Sequence, residues 1–167
     1  DGLIRHFSTV ADAVTTPVYL YDIPARTQNH IEPETARTLA AHGNIAGIKD
    51  SGGAQETLEQ YLAVARDMAD FEVYSGPDHL VRWAFANGAA GCISGLGNVM
   101  PDTLAAIVRA FNAGDEAGAA AAPVTWIPRI ARTGAVIWPV AEWFMNHGTL
   151  LKSQTRKNCA ARVATAR

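Results

Sequence analysis

Ile45-Ala46-Gly47-Ile48-Lys49 is a short apolar run that closes on a charged residue, the pattern of a buried strand whose carboxyl end carries a group out of place in a core. A second run, Pro17-Val18-Tyr19-Leu20-Tyr21, closes on a tyrosine and passes into Asp22-Ile23-Pro24-Ala25-Arg26-Thr27. If both strands lie parallel in one sheet, Tyr21 and Lys49 emerge side by side at the same edge. Alternation puts Ile45, Gly47 and Lys49 on one face and Ala46 and Ile48 on the other, so Lys49 leaves the sheet past a glycine that offers no side chain.

Around these runs the apolar period alternates between that of a helix and that of a strand. Leu3, Ile4, Phe7, Val10, Ala11 and Val14 mark one helical face ahead of the first strand. Between the two strands Pro33 opens a helix that carries Ala36, Leu39 and Ala40 and ends near Gly43. After Lys49 the loop Ser51-Gly52-Gly53 leads to a helix from about Gln55 to Met68, then to a third strand, Phe71-Glu72-Val73-Tyr74. Ser75-Gly76-Pro77-Asp78 turns into a helix through Leu80, Val81 and Ala84. A fourth strand, Ala89 to Ser94, is followed by Gly95-Leu96-Gly97-Asn98 and a helix from Pro101 to Gly114.

Four strands alternating with helices predict right-handed βαβ crossovers and an α/β fold with a parallel sheet. Val18, Ala46, Val73 and Cys92, read as equivalent positions, recur at intervals that suit a (β/α)8 (TIM) barrel, in which roughly 250 residues serve eight units. Four units are half of such a barrel. A doubly wound nucleotide-binding sheet also fits the alternation, but Gly95-Leu96-Gly97 lacks the third glycine of the G-x-G-x-x-G fingerprint.

The 167 residues have an apolar fraction of 49% and a charged fraction of 18%, those of a globular domain. No apolar run approaches the length of a membrane span and no leader pattern opens the chain, so a cytoplasmic address is the default expectation. Cys92 and Cys159 form neither a disulfide framework nor a metal-ligand pattern, and the five histidines do not cluster, which argues against a metal site. The net charge of −2 conceals an asymmetry: Asp1 to Pro123 holds 15 acidic and 7 basic residues, whereas Val124 to Arg167 holds 1 acidic and 7 basic. A basic tail can bind nucleic acid or anionic lipid, but no recognised nucleic-acid motif accompanies these scattered charges, and three of the four tryptophans lie between them. Neither a nucleic acid nor a membrane is expected as partner.

Lys49 admits two readings. A strand-end lysine commonly snorkels to solvent. In a desolvated pocket, by contrast, the amine loses its proton more readily and attacks a carbonyl to give a Schiff base. Tyr21 is either a rim tyrosine or a proton shuttle for the carbinolamine. Arg26, in the loop beyond, is either solvated or a bidentate clamp for a substrate carboxylate. Asp50 and Asp78 read as residues that cap or orient helices rather than as bases.

Taken together, Tyr21-Asp22-Ile23-Pro24-Ala25-Arg26-Thr27, Gly47-Ile48-Lys49-Asp50-Ser51, Ser75-Gly76-Pro77-Asp78 and Gly91-Cys92-Ile93-Ser94 resemble the dihydrodipicolinate synthase / N-acetylneuraminate lyase family. The resemblance implies a (β/α)8 barrel and a lyase or aldolase that joins or cleaves pyruvate-derived 2-oxo acids through a lysine Schiff base. No metal or organic cofactor is implied. It further implies Lys49 as the Schiff-base lysine, Tyr21 as proton donor and acceptor, and Ile93 as the strand-end residue touching the pyruvate unit. Arg26 matches the synthase-type position that holds the carboxylate of the second substrate, an aldehyde; sialic-acid-cleaving relatives lack an arginine there. The intact protein is expected to be a homo-oligomer.

The resemblance covers roughly residues 1–118 and corresponds to the family's fourth helix through its eighth βα unit. The family's first strands, with the hydroxyls that bind the pyruvate carboxylate, have no counterpart here, so the chain reads as a fragment whose isolated form is inactive. Residues 119–167 read as a divergent basic tail containing proline and tryptophan, explained by a shifted reading frame or a grafted segment. Beyond Glu116 the closing helices of the family are not expected. Alternatives are a 2-keto-3-deoxy sugar-acid or sialic-acid type aldolase of the same family, or a catalytically inactive half-barrel.

Overall fold

Each of the four apolar runs forms a strand, and the strands add in sequence order to one side of a growing sheet. The computed structural model describes residues 1–98, 100–121 and 149–152. Helix α1 (Gly2–Ala13) precedes strand β1 (Val18–Asp22); the short α2 (Pro24–Thr27) and α3 (Pro33–Ala40) lead to β2 (Ile45–Asp50), and α4 (Gln55–Asp67) to β3 (Glu72–Ser75). A 3-10 turn (Asp78–Leu80) and α5 (Val81–Ala86) lead to β4 (Gly91–Ser94), then a second 3-10 turn (Leu96–Asn98), α6 (Pro101–Ala113), α7 (Glu116–Ala121) and β5 (Thr149–Lys152) follow. The sheet order is β1-β2-β3-β4-β5, with β1 to β4 parallel and β5 antiparallel to β4. This order has no switch point, so it is wound in one direction and differs from a doubly wound sheet. Among the described residues no helix is long and apolar enough to cross a membrane.

The helices form where their apolar residues fall on one face. Leu58, Tyr61, Leu62 and Ala65 of α4 and Leu104 and Ile107 of α6 are all buried. Proline at the first turn starts α3 and α6, where its missing N–H is not needed. Gly114 ends α6 at φ 71°, a left-handed conformation that glycine adopts without a Cβ penalty. These faces pack on one side of the sheet against Leu20, Ile48, Val73 and Cys92. The other face carries Tyr19, Tyr21, Gly47, Lys49, Glu72, Tyr74, Gly91 and Ile93 by alternation.

Three details differ from the reading of the sequence. Ile45 joins the helix-side core at 3% exposure instead of sharing the Lys49 face. The register shifts between Val18 and Tyr19, so that Ile45 and Ala46 together oppose one residue of β1 and the alternation is broken there. Val73 pairs with Ile48 rather than Ala46, and Cys92 with Ser75 rather than Val73, because neighbouring strands are sheared along their length. Beyond Glu116 a helix does form. Asp115 caps it, its Oδ1 accepting the Gly118 N–H at 2.8 Å, and Ala119 of α7 is buried. Of the basic stretch 119–167, only 119–121 and 149–152 are among the described residues, and β5 within it pairs along β4 from Ser94 to Gly91.

Candidate active site

Tyr21 and Lys49 are direct neighbours across β1 and β2 at the carboxyl end of the sheet. The Lys49 Nζ donates to the Tyr21 hydroxyl at 3.0 Å and lies 4.1 Å from the centre of its ring. The amine therefore meets both the oxygen and the π-face of one tyrosine, a contact that suits a cation as well as a proton exchange. Ser51, the second residue after Lys49, reaches back so that its Oγ donates to the same hydroxyl at 3.4 Å. Tyr21 remains 38% exposed.

On the opposite side Lys49 neighbours Tyr74 of β3. The Tyr74 and Tyr19 hydroxyls both donate to Oε2 of Glu72 at 2.7 Å, which makes a polar layer one step below Lys49. Gly91 of β4 is level with Tyr74, so Ile93 stands on the same face one step nearer the carboxyl edge, partly buried. Arg26 is exposed on α2, beyond the end of β1. Of the residues singled out from the sequence, the structure thus brings Lys49 and Tyr21 into contact, sets Ile93 on their face and holds Arg26 on the helix that follows β1.

Behind this face two carboxylates lie side by side. Asp22 and Asp50 are register partners, each one residue after Tyr21 and Lys49, and each fully buried. Asp22 accepts from the Ile31 N–H at 3.0 Å and the Tyr61 hydroxyl at 3.1 Å, and pairs with His30 Nδ1 at 2.8 Å. Burial, reinforced by Asp22, raises the Tyr61 phenol so that it stays protonated, and it also donates to the Ile31 carbonyl. Asp50 Oδ1 accepts the Gly52 N–H at 2.7 Å, while its Oδ2 has no hydrogen-bond partner among the described residues. Burial pushes the Asp50 carboxyl up to about 6; the Asp22 charge adds to this, and the Gly52 N–H and His30 oppose it.

A third carboxylate, Asp78, accepts from Ser94 Oγ and from the Leu96 N–H, binding the loop after β4 to the turn after β3. Burial raises its pKa, opposed by the Ser94 and Leu96 bonds and by His79 and Lys49. Ser51, Tyr74, Glu72 and Tyr19 were not singled out as site residues from the sequence. The available signal was the alternation that puts Tyr19, Glu72 and Tyr74 on the Lys49 face.

These motifs sit within a wider likeness. The model of the Dihydrodipicolinate synthetase family matches residues 1–135. The chain belongs to that family. It is 43% identical over 115 residues to the 4-hydroxy-tetrahydrodipicolinate synthase of Geobacter metallireducens, covering 69% of this chain and 39% of that one. Against the enzyme of the same name from Methanococcoides burtonii it is 42% identical over 118 residues, 71% of this chain and 40% of that one. The chain therefore spans about two fifths of the length of these curated relatives.

Among solved structures of the dihydrodipicolinate synthase family, the E. coli K12 prophage protein YagE, solved in complex with pyruvate, aligns with a TM-score of 0.75 at 30% identity. That alignment covers 89% of this chain and 52% of that one. The chloride-inhibited synthase of Acinetobacter baumannii, also complexed with pyruvate, aligns with a TM-score of 0.69 at 29% identity over 85% of this chain and 48% of that one. The α/β fold with its parallel sheet is that of these family members.

Proposed function

We propose that this chain is the carboxyl-proximal part of a Schiff-base-forming lyase of dihydrodipicolinate synthase type, acting on pyruvate or a related 2-oxo acid and an aldehyde. In this reading the sheet is an arc of a (β/α)8 barrel, its Lys49 face the barrel interior. The observation that carries it is the 3.0 Å bond between Lys49 Nζ and the Tyr21 hydroxyl at the carboxyl edge of parallel strands, the edge where such sheets place their chemistry.

The neutral Lys49 amine attacks the keto carbon, forming a C–N bond as the carbonyl π electrons move to oxygen. Tyr21 carries a proton to the departing hydroxyl; water leaves and an imine remains. Loss of a methyl proton gives the enamine, whose carbon attacks the aldehyde, and hydrolysis returns the amine. The protonated imine formed on the lysine is the electron sink, so the scheme requires no metal or organic cofactor. Ile93 packs against the pyruvate unit and Arg26 holds a carboxylate on the aldehyde.

A second reading applies to the 167 residues alone. Tyr19 and Tyr21 are 44% and 38% exposed on what would be the barrel interior, which supports an unfinished pocket and an inactive isolated chain. Incubation with pyruvate and borohydride, followed by peptide mass spectrometry, tests both. A chain extended by the preceding portion of a relative is expected to trap pyruvate on Lys49, and the isolated chain to trap little. An extended protein without adduct on Lys49 would overturn the Schiff-base assignment.

A further inference from the structure

We propose that Asp50 is a positioning residue for the Lys49–Tyr21 pair: by folding the chain after β2 onto its own carboxylate it sets Ser51 against the Tyr21 hydroxyl. This rests on the proposed roles of Lys49 and Tyr21 for its meaning in catalysis, but not for its geometry.

Successive strand residues point to opposite faces, so a residue adjacent to Lys49 can hold its backbone without entering the pocket. Asp50 does this from the buried side. Its Oδ1 accepts the Gly52 N–H at 2.7 Å, closing a tight Asx turn over Ser51. Two further bonds pin the turn to its neighbours: the Ser51 N–H donates to the Asp22 carbonyl at 2.8 Å, and the Gly76 N–H to the Asp50 carbonyl at 2.7 Å. Space is equally constrained, since a Cβ at Gly76 would overlap the Ser51 hydroxyl and stand 2.6 Å from the Asp50 carbonyl. The result is a continuous chain from Asp50 through Gly52 and Ser51 to the Tyr21 hydroxyl and Lys49 Nζ.

A carboxylate is an expensive way to make a turn here. Asp50 is fully buried, beside the equally buried Asp22, and its Oδ2 has no hydrogen-bond partner among the described residues. The titratable groups facing it are Asp22 on β1, His30 on the loop after α2, and Tyr61 on α4. With the Asp50 carboxyl raised to about 6, the turn is held by a charge-assisted bond above that pH and by a weaker neutral one below it. Protonation of a group on the far side of the sheet should therefore be felt at Tyr21.

The full 167-residue chain contains four tyrosines, which allows each ring carbon bonded to oxygen to be followed by NMR with labelled tyrosine and assigned by Tyr→Phe variants. Between about pH 4.5 and about pH 8, the Tyr21 resonance is expected to titrate with a midpoint near that of Asp50. Asp50→Asn, which keeps an acceptor for Gly52 but cannot ionise, should abolish the titration and leave the resonance near its wild-type position. Asp50→Ala should displace the resonance at every pH. A Tyr21 titration that persists in Asp50→Asn would assign the effect to another group and overturn the proposal, as would a Tyr21 resonance unmoved by pH and by Asp50→Ala. Pyruvate trapping in the extended protein is read separately, so a failed Schiff-base assignment leaves this result standing.

Discussion

Gly47 and Tyr19 are register partners on β2 and β1, and the missing side chain of the first is the space that the second occupies. A Cβ at Gly47 would stand 2.8 Å from the Tyr19 ring and overlap the Glu72 carbonyl. Tyr19 lies across β2 to reach the Glu72 carboxylate, which also holds Tyr74, the neighbour of Lys49.

Gly47→Ala is therefore expected to destabilise the chain by about 2–4 kcal/mol, the range of a small-to-large change against backbone and a packed ring. It should also detach Tyr19 from Glu72. Chemical denaturation gives the first quantity. The near-ultraviolet circular dichroism difference from wild type in the tyrosine band checks the second. Tyr19→Phe in the Gly47→Ala background should add little, since the two substitutions remove the same contact.

Cys92 lies on the helix-side face of β4, fully buried, and burial together with Asp78 pushes its thiol up to about 12. The thiolate is the reactive form, so at neutral pH the folded chain should not expose this sulfur to disulfide reagents. In a Cys159→Ser background, labelling of Cys92 is expected to follow global unfolding in denaturant. Rapid labelling under native conditions would place β4 outside the stable core.

The buried Asp50 carboxyl has a pH signature of its own. Its folded value of about 6 stands above the ordinary 3.8, so the folded state binds this proton more tightly than the unfolded one. Stability from this group is present below about pH 4, falls as pH rises through the window from about 4 to 6, and is lost above it. Asp50→Asn is expected to raise stability by about 1–3 kcal/mol at pH 7.5 and to bring no gain at pH 4. Urea denaturation of both proteins at the two pH values measures this. A stabilising substitution that also uncouples Tyr21 from pH would separate the role of Asp50 in the site from its role in the fold.

How far the sequence reached follows from which interactions are local. Strands β1 to β4 were legible because each apolar run is bounded by turn residues, and the contact of Tyr21 with Lys49 because parallel strands of similar length place their ends level. The face of Ile45 was not legible, since a register shift depends on which residue of the neighbouring strand pairs with it. Asp22 and Asp50 look like ordinary turn residues in sequence; only the folding of the 28–32 loop and α4 over them turns them into a buried pair. Helix α7 had a legible signal in Asp115 ahead of an alanine-rich stretch, while β5 is created by pairing with a strand more than fifty residues earlier in the chain. For Arg26 the sequence supplied a place on the loop after β1 and the structure supplies its helix, but the role proposed for it depends on a second substrate.

That role can be separated from the role of Lys49. Arg26 is exposed on α2; on the proposed roles, in a protein completed with the preceding portion of a relative, Lys49 would act on the keto acid before the aldehyde arrives and Arg26 would meet only the second molecule. Lys49→Ala should abolish borohydride trapping of pyruvate. Arg26→Ala should leave trapping intact and lower kcat/KM for a carboxylate-bearing aldehyde by roughly thirty- to a thousandfold, the equivalent of about 2–4 kcal/mol for a charge-assisted bidentate pair. Lysine at this position should recover only part of the loss, because a point charge replaces a planar fork. A neutral aldehyde provides the internal control: its turnover should not respond to Arg26→Ala. If the carboxylated and neutral acceptors lose activity equally, Arg26 supports the loop rather than the substrate. If neither responds, the synthase-type assignment gives way to an aldolase for uncharged acceptors.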